Sequence, residues 1–173
     1  MDICSGTSCS ALSNFSPHIF KVDGVTCYSM EGFLQSLKFK SMDMQVEVCK
    51  LIGKKAKFKG KRKTWWKTQT LWWQGVEIDR HSREYQILLD KAFDSLVYHS
   101  RSFRKALLAT GNAVLTHSVG KKDPYRTVLT EKEFVSRLMR IREEIKHGEY
   151  WHKIGKKIKF KFERRNNETL ESI

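Results

Sequence analysis

From Ser82 to Leu96 the apolar residues Tyr85, Leu88, Leu89, Ala92, Phe93 and Leu96 follow the turn of an α-helix. At about 100° per residue they form one stripe. A strand could not gather that set on one face, because its side chains alternate with a period of two. The chain is therefore committed to burying a long helix against other elements, and Ser82 stands where a hydroxyl can accept from the helix's first free amides. Other segments repeat the pattern. Met30, Phe33, Leu34 and Leu37 follow Ser29, Phe103 to Ala109 stops at Gly111, and Phe134, Leu138, Ile141 and Ile145 run on to His147-Gly148. The last of these is preceded by Thr130-Glu131-Lys132-Glu133, the Thr-x-x-Glu form of a capping box. A further helix is expected from Asp43 to Ile52, ended by Gly53.

Strand signals are short. Ile19, Val22, Val25 and Cys27 flank Asp23-Gly24, a dipeptide suited to tight hairpin turns. Ala113 to Leu115 reads as a brief strand or a packed turn. In the C-terminal stretch WHKIGKKIKFKFERR, Ile158, Phe160 and Phe162 alternate with lysines, as in an amphipathic edge strand or an appended basic arm. The expected fold class is α+β, mainly helical, in one compact domain with short strands. Residues 1–11 are expected as a flexible tail, 12–148 as the domain and 149–173 as a basic C-terminal extension. Phe33, Leu37, Leu88, Phe93, Leu108, Leu138 and Ile141 are expected to share one core.

At 173 residues the chain is long enough to bury such a core. Its longest apolar runs fall far short of the roughly 20 residues of a membrane helix. The first twenty residues lack the basic and apolar regions of a signal peptide, so a cytoplasmic protein with no membrane partner is expected. Cys4, Cys9, Cys27 and Cys49 form no Cys-x-x-Cys pair and are read as reduced thiols, with a Cys4–Cys9 disulfide as the alternative in a secreted protein.

The formal net charge of +14 favours an anionic partner, a nucleic acid or a phosphate-bearing nucleotide. Much of it is concentrated in KKAKFKGKRKTWWK, which holds no acid. There Lys57, Lys59, Lys61, Arg62 and Lys63 could follow DNA or RNA phosphates while Trp65, Trp66, Trp72 or Trp73 stacks on a base. The plainer reading is a solvated loop pinned to the core by its tryptophans.

No phosphate-binding glycine loop, Gly-x-Ser-x-Gly elbow or His-Glu-x-x-His motif is present, and no metal site or cofactor is expected. What remains is a carboxylate. Glu31, Gln35 and Lys38 share one helix face beside the apolar stripe, and Asp123 offers a second acid in the loop HSVGKKDPYRT. Cleavage of a glycosidic bond needs little more than a carboxylate that stabilises a cationic sugar and activates water. Structural readings stand beside these. Glu31 meets the positive end of a helix dipole, and Asp123 precedes a proline as a turn former.

The segment LSNFSPHIFKVDGVTCYSMEGFLQSLKF resembles the opening motif of the YbiA-like family, also called NADAR. In that family a Ser-Asn-Phe turn precedes a hairpin and a helix carrying a glutamate, a glutamine and a Lys-Phe pair. RSFRKALLATGNAVLTHS and SRLMRIREEI resemble later family segments, so the likeness runs from about Leu12 to Lys146. It implies a compact, mostly helical α+β fold and an N-glycosidase that acts on an ADP-ribosylated or phosphoribosylated base, including ADP-ribose on guanine in nucleic acid. Glu31 would be the catalytic carboxylate. Asn14 and Phe15 would shape the pocket, with Gln35 and Lys38 on its polar wall.

Two departures bear on activity. Gly32 stands where the family often has His, and KDPYRT replaces an Asp followed closely by Trp-Gly, so that Asp123 and Tyr125 would stand in. The block containing Trp65 and Trp66 is closer to a branch common in bacteriophages, which would place the protein in a host cytoplasm. The rival function is a binding module that has lost turnover and holds a nucleotide or nucleic acid on its basic face.

Overall fold

Asp23 and Gly24 both take positive φ, 46° and 84°, and so close β1 (Phe20–Val22) onto β2 (Val25–Cys27), with Phe20 opposite Cys27. In the computed structural model, which describes residues 1–3 and 9–157, the same turn recurs at Gln74 and Gly75, with φ 49° and 81°. It joins β3 (Thr70–Trp73) to β4 (Val76–Asp79) in a second antiparallel hairpin. Only the first hairpin was expected. The second lies inside the tryptophan-rich run, where its Gln-Gly turn is the sole local signal.

The helices are α1 (Met30–Ser36), α2 (Met42–Cys49), α3 (Gly53–Gly60), α4 (Arg83–His99), α5 (Arg101–Ala109) and α6 (Glu131–Lys146). The expected caps form: Ser29 accepts from the Gly32 amide at 2.9 Å and Ser82 from Tyr85 at 3.1 Å. Thr130 and Glu133 exchange amide bonds at 2.7 and 3.1 Å. Gly53 differs from expectation. Its φ of +56° turns the chain into α3 rather than ending one long helix. Gly32 allows a close approach, since a Cβ there would lie 2.6 Å from the Leu51 carbonyl oxygen and 2.9 Å from that of Cys49. The first turn of α1 therefore rests directly on the chain leaving α2.

The chain divides into two compact units, Met1–Leu138 and Met139–Ile173, with the division inside α6 rather than at Gly148. In the first unit α4 buries Tyr85, Leu88, Leu89, Ala92, Phe93 and Leu96, as its stripe requires. It packs on β1, and Phe93 meets Phe134 with ring centroids 5.9 Å apart. Phe33 of α1, Leu37 at its C-terminal cap and Leu138 of α6 are also buried. Leu108 is a correction to the expected core, being 39% exposed. Phe103 and Leu107, four apart, take the inner face of α5, and Leu108 turns about 100° away from it.

The N-terminus departs from the expected tail. Asp2 pairs in parallel with Thr116, and Ile3 is fully buried. In the second unit Ile141 and Tyr150 are buried, and residues 149–157 are helical where an edge strand or arm was expected. Ile158, Phe160 and Phe162 lie outside the described residues. Cys9, Cys27 and Cys49 are free thiols; Cys4 also lies outside the described residues. No helix among those described is long and apolar enough to cross a membrane.

One buried ion pair ties the second hairpin to α6. Arg80, 1% exposed, donates through Nη1 and Nη2 to the two Glu133 oxygens at 3.0 and 2.8 Å and through Nε to the Thr127 carbonyl at 3.0 Å. Burial opposes charge on Glu133, but hydrogen bonds from Arg80, the Thr130 amide and Gln86 outweigh it and hold the carboxyl below its ordinary range. Replacing Arg80 with Met strands that charge and should cost about 3–5 kcal/mol in urea denaturation. The double variant Arg80→Met/Glu133→Leu should recover most of the loss. A single variant within about 1 kcal/mol of wild type, the range of an exposed pair, would show that the pair is not the joint described.

Candidate active site

A cavity of about 320 Å³ opens in the first unit, between the start of α1 and the loop that leads into α6. That is within the range of small-molecule sites. Glu31 is the one carboxylate among its lining residues, facing Lys38, Lys57, Lys121 and Arg126. Ser29 starts α1 and so sets the position of Glu31, whose amide donates to the Asn14 carbonyl at 2.9 Å. That bond docks the Ser-Asn-Phe turn onto the helix. One turn on, Gln35 Nε2 donates to Glu31 Oε1 at 2.9 Å.

The electrostatics follow from burial. Glu31 is 8% exposed, and loss of water pushes its carboxyl above the ordinary range, against the opposing pull of the Gln35 hydrogen bond and the charges of Lys57, Lys38 and His117. Lys38 is driven down to about 8, mainly by burial; Glu31 works against this, while Lys121 and Lys57 add to it. The cavity thus holds an acid that keeps its proton more tightly, and an ammonium that gives its proton up more easily, than either would in water.

A groove of about 850 Å³ adjoins the cavity, sharing Phe15, Gln35, Lys38, Lys57, Trp65, Lys121 and Arg126 with it. Beyond these it takes in Lys54, Phe58, Lys61, Lys63 and Trp66. The basic run is therefore not a plain loop. Positions 54, 57, 58 and 61 share one side of α3 and its C-terminal end by helical spacing, which is the side facing the groove. Gly60 lets α3 come close, since a Cβ there would fall 2.0 Å from Gln35 Oε1. Aromatic rings carry several of the cations: Lys57 Nζ lies 5.5 Å from the Phe15 centroid, Lys63 Nζ 4.5 Å from Phe39, and the Arg126 guanidinium 4.6 Å from Trp66.

Glu31, Asn14, Phe15, Gln35, Lys38, Lys57 and Trp65 come together in the cavity, and Trp66, Lys61 and Lys63 in the groove. Lys59 and Arg62 line neither. Nor do Asp123 and Tyr125. Asp123 accepts the Tyr125 amide at 2.9 Å in a self-contained turn, and the Tyr125 ring lies outside, 4.3 Å from His81. The sequence reading missed His117, Lys121, Arg126 and the backbone from Thr127 to Thr130, all of which line the cavity. The two cations flank the Asp-Pro turn that drew attention instead.

A family model for bacteriophage protein GP30.3 matches residues 6–143. A 17.1 kDa protein from the Gp30–rIII intergenic region of Enterobacteria phage T4 is 35% identical over 141 residues, which cover 78% of this chain and 90% of the T4 protein. Among solved structures, that of the E. coli protein YbiA superposes with a TM-score of 0.56 at 20% identity, covering 85% of this chain and 86% of YbiA.

Two outcomes follow from this geometry. Lys57→Glu/Lys61→Glu should weaken binding of a short single-stranded DNA, measured by fluorescence anisotropy at low salt, well beyond Lys59→Glu/Arg62→Glu, although both pairs change net charge equally. Equal losses would reduce the groove to a diffuse basic surface. The second outcome concerns stability. A raised carboxyl pKa means that the native state binds more protons than the unfolded chain, so stability is full below the unfolded pKa and is lost as pH rises through the folded one. Glu31→Gln removes that loss, so its Tm should gain on wild type as calorimetry moves from acid towards neutral pH. A Tm difference that stays constant with pH would mean that Glu31 ionises as it does in water.

Proposed function

This chain belongs to the bacteriophage GP30.3 family and shares the fold of YbiA, and on that premise we propose that it hydrolyses the N-glycosidic bond of an ADP-ribosylated or phosphoribosylated base. The observation that carries this reading is one buried carboxylate, Glu31, in a cavity otherwise charged by Lys38, Lys57, Lys121 and Arg126. A sugar linked to phosphates presents negative groups to such a rim, and its reacting carbon becomes positive as the base departs. Glu31 stabilises that carbon and takes a proton from the attacking water, for which its raised affinity for protons suits it. The lysines and Arg126 hold phosphates, and Trp65 or Trp66 offers a face to the base.

The groove extends the same reading to nucleic acid, since its cations and the exposed rings of Phe58 and Trp66 continue outward from the cavity. Action inside the host cell fits the phage lineage. The rival, a binding module without turnover, rests on the KDPYRT loop and on Gly32, which stands where the YbiA-like family often has histidine. In this chain a larger residue at 32 would strike the Leu51 and Cys49 carbonyl oxygens, so the packing of α1 excludes one there.

The test is incubation with ADP-ribosylated DNA, NAD, ADP-ribose and the phosphoribosylated riboflavin intermediate, with products resolved by mass spectrometry. The expected result is N-glycosidic cleavage of at least one probe, releasing ADP-ribose from the DNA or a free base from a nucleotide, with Glu31→Gln slowed by about 10²–10⁴-fold at little change in ligand affinity. Asp123→Asn should keep wild-type turnover. Binding without cleavage by the wild type would favour the rival, and a fully active Glu31→Gln would remove Glu31 from the chemistry.

A further inference from the structure

His117 is the residue in the cavity that the sequence reading least foresaw, and the chain's first residues hold it in place. Ile3 donates to the Thr116 carbonyl at 2.8 Å, and Thr116 donates to the Met1 carbonyl at 3.0 Å. Asp2 accepts from the Ser118 amide at 2.8 Å and the Ser118 hydroxyl at 2.6 Å. Within this clamp His117 Nδ1 hydrogen-bonds the Ile3 carbonyl. A carbonyl oxygen can only accept, so Nδ1 carries the hydrogen and, in the neutral ring, Nε2 keeps the lone pair.

Three further contacts fix the ring and its peptide. The His117 amide donates to Glu131 Oε1 at 3.1 Å, and the ring sits edge-on to Phe134 at 5.2 Å. Gly120 leaves room for it, since a Cβ there would lie 2.6 Å from His117 Cδ2. Nε2 has no hydrogen-bond partner among the described residues. The side chain lines the cavity, close enough to Glu31 for the two charges to interact. The charged groups around it are Glu31 from α1 and Lys38 just past its end, Lys57 from α3, Lys121 and Arg126 from its own loop, Glu131 from α6 and Asp2 from the clamp.

We propose that His117 is the second proton-transfer group of this site, aimed by the Ile3 carbonyl so that Nε2 delivers a proton to the departing nitrogen while Glu31 receives one from water. The proposal rests on the hydrolase reading above. Water's oxygen bonds to the sugar carbon, and one of its hydrogens passes to Glu31. The carbon–nitrogen bond breaks with its electron pair going to the base, and protonated His117 gives that nitrogen its hydrogen. A proton then returns from Glu31 to His117, directly or through solvent, so the sum is one water consumed with no other reagent. An imidazole suits this role because one ring nitrogen can be held as a donor while the other passes a proton.

The experiment has one part that depends on activity and one that does not. Long-range ¹H–¹⁵N NMR of the wild-type imidazoles should show neutral His117 with its hydrogen on Nδ1. A neutral ring with its hydrogen on Nε2 overturns the proposal whatever the activity. With ADP-ribosylated DNA as probe, His117→Ala should lose about 10²–10⁴-fold in kcat with KM within a few-fold of wild type, and added free imidazole should restore part of the rate. Unchanged turnover, or a loss that imidazole does not relieve, overturns the catalytic role. A wild type that cleaves no probe removes the hydrolase reading and with it the step assigned to His117, a failure distinct from a wrong tautomer in an active enzyme.

Discussion

Arg80 and Glu133 meet in the interior of the first unit, and their pairing decides where the cavity wall stands. Arg80 follows β4 and Glu133 lies in the first turn of α6, so the ion pair joins a hairpin to a helix more than fifty residues away. Its third bond holds the Thr127 carbonyl, and Glu133 also caps α6 through Thr130. The backbone from Thr127 to Thr130 is therefore bounded by two anchors. Tyr85 adds a third, its hydroxyl donating to the Val128 carbonyl. A segment that lines a polar cavity needs such support, because loop backbone left to itself samples many geometries.

The opposite wall is built by different means. Its polar row lies on a short helix whose start is fixed by Ser29 and by the Asn14 carbonyl, and its cations ride on aromatic rings that limit where each lysine can go. Concentrating positive charge around one half-buried space is unfavourable until an anion arrives. The depressed proton affinity of Lys38 comes first from its burial, and the nearby charges of Lys121 and Lys57 add to it.

What the sequence made legible was local. The stripe of α4, the serine caps, the capping box at Thr130 and the Asp-Gly hairpin each depend on residues within a few positions of one another. The face shared by Glu31, Gln35 and Lys38 was legible for the same reason. What was missed depends on distant partners. Asp2 pairs with Thr116 across more than a hundred residues, and neither segment has a periodic pattern to announce it, so the clamp and the imidazole it holds were invisible. Lys59 and Arg62 were grouped with Lys57 and Lys61 because a run of lysines was read without its helix. Once α3 forms, successive side chains diverge by about 100°, and only some of them reach the groove.

The close approach at Gly60 divides the site into two parts with different freedom to change. With no side chain between them, the helix carrying the outer cations and the helix carrying the carboxylate fit against each other at Gln35 and Lys38, so neither can be re-angled without disturbing the other. The facing loop, from His117 to Arg126, has no such constraint over Lys121, Lys122 and Asp123, where side chains are exposed. Descendants of this protein would accordingly be expected to alter the charge and size of the side chains from Lys121 to Asp123 while leaving the α1–α3 half as it is. The scaffold thus separates a half of the cavity wall whose packing is fixed from a stretch whose exposed side chains are free to vary.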